Sequence, residues 1–132
     1  DIVFAAGRDV TMVGLDVTHP VKCTPAHFAQ LVKPAPVLGG FLNNAVQHYF
    51  EFHRTVDGFD GCYMHDPSAV VSIVRPDLFA VEHEPLRVIV EGEETGRTVR
   101  ATGSSRPATS VCTQVDVDAV RDLFLETVSS GF

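Results

Sequence analysis

The run TMVGLDV, Thr11 to Val17, constrains the fold most. It is short, apolar and nearly continuous, the pattern of a strand buried on both faces of a parallel sheet. A parallel strand needs helices to cover it, and helix starts follow. Thr24-Pro25 joins a hydroxyl cap to a proline at the first helical position. Phe28, Leu31 and Val32 then give that helix an apolar stripe, which ends before Pro34.

The remaining chain continues in the same manner. Val37 to His53 carries a longer helical pattern through Leu38, Phe41, Leu42, Ala45, Val46, Tyr49 and Phe50. Gly39 and Gly40 weaken its first turn by roughly 1 kcal/mol each relative to alanine. A loop containing Gly58 and Gly61 leads to Asp66-Pro67, which opens a helix through Val70 and Ile73 that must stop near Pro76. DLFAV is a short segment, LRVIVEG and RTVRA read as strands, TGSSRP as a turn, and SVCTQVD as a further strand. Asp118 to Val128 closes the chain as an amphipathic helix with Val120, Leu123, Phe124 and Val128 on one face. Residues 1–132 therefore read as one α/β piece, part of a larger sheet. The opening Ile2 to Gly7 resembles the last turns of a helix closed by glycine, so the chain is expected to be a fragment.

Composition excludes several function classes. A net charge of −7 disfavours a nucleic-acid partner, which needs clustered Lys and Arg. No stretch has the length and hydropathy of a membrane span. Three scattered cysteines, with no CxxC spacing, argue against a disulfide framework or zinc site and for a reducing cytoplasm.

His65-Asp66-Pro67 is the candidate site. Asp66 has a structural use, capping the helix that follows. It has a chemical use as well, since a carboxylate at a helix start on a sheet edge can serve Ca²⁺ or Mg²⁺ in a ligand crevice. His65 can give or take a proton near neutral pH. A His-Asp phosphohydrolase is rejected, because the further histidine and aspartate ligands it requires are missing. His19 follows the first strand and can face a cleft, while Asp16 ends that strand and either serves a site or caps a loop. His27 and His83 are expected to be solvated, and His48 and His53 to lie on a helix surface.

TMVGLDVTHPVKCTP (Thr11 to Pro25) resembles a strand and loop of the inosine-uridine preferring nucleoside hydrolases. GFDGCYMHDPSAVVSIVRPDLF (Gly58 to Phe79) is similar to their glycine-rich loop, His-Asp-Pro and following helix. VEGEETGRTV resembles their late hairpin and VDVDAVRDLFLE their terminal helix, in the same order. The resemblance implies an open mixed sheet with flanking helices, the C-terminal part of that fold. It implies that Asp66 is a ligand of a catalytic Ca²⁺ and also begins its helix, and that His65 assists departure of the base by proton donation. Tyr49 and His53 fall where the family places residues near the leaving base. The substrate would be a ribonucleoside, whose N-glycosidic bond yields to a metal-activated water. Family members commonly form dimers or tetramers, so a homo-oligomer is implied.

Departures qualify this expectation. The family's aspartate-rich "DxDxxxDD" strand and "EFN" segment have no counterpart, and Asp66 alone cannot satisfy Ca²⁺, which takes about 6 to 8 oxygens. The chain alone is therefore expected to be inactive. Cys62, Tyr63 and Met64 replace the small residues and proline usual before the His-Asp pair, and Ala101 replaces an acidic residue of the hairpin. The alternative, from another class, is a non-catalytic self-associating assembly module, because a half-sheet leaves edges and apolar faces uncovered.

Overall fold

The computed structural model describes residues 1–130. Its sheet is arranged around β6 (Ala108–Val115). β1 (Thr11–Val13) pairs with one side of β6 in parallel, and β4 (Phe79–Val88) pairs with the other side antiparallel. β5 (Thr98–Arg100) completes the order β1-β6-β4-β5 as the hairpin partner of β4. The sheet is mixed and open, with helices beside it, as expected.

Two expected segments, DLFAV and LRVIVEG, are one strand. β4 runs through Pro85, which stands opposite Ala108. The Pro85 carbonyl accepts from Ala101 N–H at 2.7 Å. In an antiparallel ladder a residue's N–H and C=O point the same way, so the missing donor faces Ala101 and no bond to β6 is lost.

The first strand is shorter than its apolar run. β1 stops at Val13, and Leu15–Thr18 turns into a single helical turn, α2, with the Val17 and Thr18 N–H groups donating to the Gly14 carbonyl. Leu15 is exposed and Met12 and Val13 only half-buried, so this segment is not covered on both faces. A continuous apolar run does not by itself separate a strand from a helical turn.

A short α1 (Ile2–Ala5) precedes β1. After α2 comes a small antiparallel ribbon, β2 (Lys22–Cys23) against β3 (Cys62–Tyr63). Between its strands lie α3 (Pro25–Ala29), α4 (Pro36–Ala45) and α5 (Gln47–Val56). The expected single helix is thus two, meeting at Val46. That break turns α5 so that Phe50 is fully buried, packed edge-on against Phe28 with ring centres 5.6 Å apart. His27 is not solvated: it is half-buried, and its Nδ1 accepts from the Thr24 N–H at 3.0 Å, closing the start of α3. His83 is exposed as expected, and it lies on β4.

α6 (His65–Val74) and α7 (Val117–Ser130) supply the remaining core, with Val71, Val120, Leu125 and Val128 buried among Phe28, Phe50 and Cys112.

The two neighbouring glycines of α4 differ. A β-carbon at Gly39 would overlap the Leu31 carbonyl, whereas one at Gly40 would meet nothing. Gly39→Ala is therefore expected to destabilise the fold by about 1–3 kcal/mol through overpacking. Gly40→Ala should stabilise it by about 0.5–1 kcal/mol through helix propensity. Urea denaturation of the two variants checks the contrast, and equal effects of one sign would contradict it.

Candidate active site

Backbone pairing delivers His65 to its position. The β2–β3 ribbon sets Lys22 opposite Tyr63 and Cys23 opposite Cys62, and the Met64 N–H donates to the Val21 carbonyl at 2.9 Å. Met64 is thereby fixed as the last residue before α6, and His65 becomes the first residue of the helix. Asp66 is not the capping residue that the sequence suggested. Met64 holds that position, and Ser68 returns both its N–H (3.0 Å) and its hydroxyl (2.5 Å) to the Met64 carbonyl. Asp66 sits in the first turn, exposed, with its charge at the positive end of the helix. Among the described residues no hydrogen bond holds its carboxylate.

A cavity of about 310 Å³ opens in front of these residues. Its walls are Leu42, Val46 and Tyr49 from α4 and α5, Cys62 to Pro67, and Phe28 and Phe124 from the core. The lining is mainly apolar, and Tyr49, Tyr63, His65 and Asp66 are among its polar residues. A pocket of apolar walls with a few convergent polar groups is the usual form of a small-molecule site.

Aromatic rings support this wall. Tyr63 is buried and stacks on His65 at 5.4 Å and 26°. His19 packs on Tyr63 at 3.9 Å and lies 5.9 Å from His65. The Lys22 ammonium lies over the Phe59 and Tyr63 rings at 4.8 and 5.4 Å, a favourable cation–π arrangement. His53 departs from the helix-surface expectation. It is only 5% exposed, behind the cavity rather than in it, with its ring 4.4 Å from Tyr49 and 4.8 Å from Tyr63. Its Nδ1 bonds Asp57 Oδ2 at 2.6 Å, and its Nε2 is buried without a partner among the described residues.

His48 is exposed on α5, as expected. Asp16 does not join the site. It lies in the first turn of α2 and lines a separate polar cavity with Glu82, Glu84 and Arg100. Thr18 was not singled out from the sequence, and Tyr63 only as a departure from the family pattern before the His-Asp pair. Thr18 bonds His65 across 47 residues, its Oγ1 lying 2.6 Å from Nδ1. Only its place immediately before His19 hinted at a role.

The electrostatics follow from partial burial. His65 is held below the ordinary imidazole value, first by desolvation, then by the neighbouring His19 and, less, His53; Asp66 pulls the other way. Tyr49 is held above its ordinary value, first by desolvation and then by acidic groups including Cys62 and Asp66. Burial pushes the Cys23 and Cys62 thiols up to about 11 and about 12, so neither is a nucleophile at neutral pH.

As a metal site the arrangement is incomplete. Among the described residues no group of three or more His, Cys, Asp or Glu side chains is placed to hold an ion. One exposed carboxylate does not fit Ca²⁺, which takes about 6 to 8 oxygens.

Comparisons with known proteins bear on this geometry. The sequence model of the inosine-uridine preferring nucleoside hydrolases matches residues 1–122. Uridine nucleosidase 1 of Arabidopsis thaliana is 32% identical over 106 residues, covering 80% of this chain and 32% of that protein. The pyrimidine-specific ribonucleoside hydrolase RihA of Klebsiella pneumoniae is 32% identical, covering 98% of this chain and 43% of its own length. Among solved structures, a plant nucleoside hydrolase superposes with a TM-score of 0.92 at 28% identity, over 99% of this chain and 44% of that one. The purine-preferring ribonucleoside hydrolase of Gardnerella vaginalis superposes with a TM-score of 0.88 at 32% identity, over 98% of this chain and 42% of that one. The chain thus spans less than half the length of these relatives.

The His65 shift has a measurable consequence. The native state takes up a proton at His65 less readily than the unfolded chain, so the stability contributed by the neutral ring is full above about 6.5 and falls as the pH drops below it. Urea midpoints should therefore decline less on acidification in His65→Gln than in the parent; an identical decline would contradict the shift.

Proposed function

Because the chain belongs to the inosine-uridine preferring nucleoside hydrolase family, we propose that it takes part in hydrolysing the N-glycosidic bond of ribonucleosides, supplying the leaving-base side of the site. The observation that carries this reading is the apolar cavity faced by His65, Asp66 and Tyr49. In the proposed reaction the C1′–N bond breaks with its electron pair going to the base. A water oxygen bonds to C1′ as positive charge builds on the sugar ring, and the proton that the water loses ends on the departing nitrogen, to which His65 donates a hydrogen bond. Tyr49 lies against the base, and His53 acts through its contacts with Tyr49 and Tyr63. The relatives' names span uridine, pyrimidine and purine nucleosides, so the class proposed is the ribonucleoside.

Ca²⁺ belongs to this proposal only as a group that Asp66 would help hold. The described residues do not fit it alone, and no step here is routed through it. We read residues 1–132 as one α/β unit contributing part of a site and inactive by itself. Three buried free thiols agree with a reducing, cytoplasmic setting.

Nuclear magnetic resonance tests this reading. Inosine or uridine added to the labelled chain is expected to shift His65, Tyr49 and Asp66 together, while a base-release assay with calcium shows no rapid turnover. Shifts confined to other surfaces would overturn the assignment of the cavity. Robust turnover would overturn the partial-site claim.

A second reading, self-association, is favoured by one observation. An apolar groove of about 540 Å³ runs between α6 and α7, lined by Val70, Val74, Leu123 and Phe124, with Val70 60% and Val74 63% exposed. Faces of this kind tend to be covered by a partner. We propose a homo-oligomer, for which light scattering should give a mass above 14.3 kDa that Val70→Glu lowers. A parent monomer at all concentrations would contradict it.

A further inference from the structure

The bond between Thr18 and His65 joins two segments 47 residues apart, and its direction can be worked out. Thr18 is 2% exposed at the end of α2. Among the described residues its hydroxyl has one partner, His65 Nδ1 at 2.6 Å; no backbone carbonyl accepts from it, although such bonds hold the Thr55 and Thr127 hydroxyls. A buried hydroxyl carries one hydrogen that must go to an acceptor. If Nδ1 carried the ring hydrogen, it would donate to Oγ1 and leave the Thr18 hydrogen without a partner in a buried place. If Nδ1 is bare, it accepts that hydrogen and both groups are satisfied.

We propose that Thr18 is a positioning residue that donates to Nδ1 and so fixes the neutral His65 ring with its hydrogen on Nε2. His65 lines the cavity, and its Nε2 has no bonding partner among the described residues and is not enclosed as the His53 Nε2 is. Tyr63, stacked at 5.4 Å, holds the ring plane while Thr18 holds its rotation. A neutral imidazole fixed in this way presents an N–H to whatever occupies the cavity; the opposite tautomer would present a lone pair and repel the negative charge that builds on a departing base. The chemical use of this device rests on the nucleoside-cleavage reading above. Its geometry does not.

The test reads the tautomer directly, without substrate. Long-range ¹H–¹⁵N correlation spectra of the labelled chain, taken where imidazoles are neutral, distinguish a protonated from a bare ring nitrogen. His65 signals are assigned by their loss in His65→Gln. The parent chain is expected to show His65 as the Nε2–H form. Thr18→Val, which keeps the shape and removes the hydroxyl, should convert it to a mixture of tautomers, and Thr18→Ser should restore the parent pattern. A parent spectrum with hydrogen on Nδ1, or a Thr18→Val spectrum identical to the parent, overturns the assignment. The parent spectrum decides the direction of the bond even if Thr18→Val does not fold. A fixed Nε2–H form in a chain that ignores nucleosides keeps this inference and removes only the reading on which its use depends.

Discussion

The site depends on a two-residue pairing. β2 and β3 touch only through Lys22–Cys23 and Cys62–Tyr63, extended by one bond from Met64 to Val21. Strand register is binary in its consequences, because a slip of one residue turns every side chain to the other face. In the register observed, Cys62 and Tyr63 are buried and Met64 ends the ribbon, so His65 begins the helix with its ring at the cavity wall. Gly61 makes the approach possible: a β-carbon there would overlap the Cys23 carbonyl and the Phe59 ring.

From that pairing the chemistry of the cavity follows. Burying Tyr63 gives His65 a flat ring to stack on, and burying Thr18 leaves one hydroxyl aimed at Nδ1. Partial burial also holds the imidazole below its ordinary pKa, since desolvation penalises the charged form. Asp66, one residue further on, is exposed and unbonded among the described residues. Two adjacent residues thus have opposite surroundings, one locked and the other open to a ligand.

Much of the fold was legible because local patterns carried it. The period of Val120, Leu123, Phe124 and Val128 gives α7, and the alternation of SVCTQVD gives β6. Proline marks the start of α3 and the end of α6. What was not legible depends on contacts between distant residues. Nothing local in VLGGFLNNAVQHYFEFH marks the break at Val46, which follows from seating Phe50 against Phe28. Gly39 looks like a weakness in a helix and is instead the point where α4 meets the Leu31 backbone. His53 carries a polar ring that the sequence places on a helix surface, yet Asp57 four residues on satisfies one nitrogen and lets the ring be buried. At the site, His65 and Asp66 stood out through their neighbour Pro67, whereas Thr18 and Tyr63 gained meaning only once β2 and β3 were paired.

A crystal structure of the chain soaked with a ribonucleoside shows whether the cavity at the start of α6 receives the leaving base. The base is expected among Tyr49, Tyr63 and Phe124, with a ring nitrogen in hydrogen-bonding reach of His65 Nε2. A nucleoside seated in the α6–α7 groove, or elsewhere with the His65 cavity filled only by solvent, would contradict it.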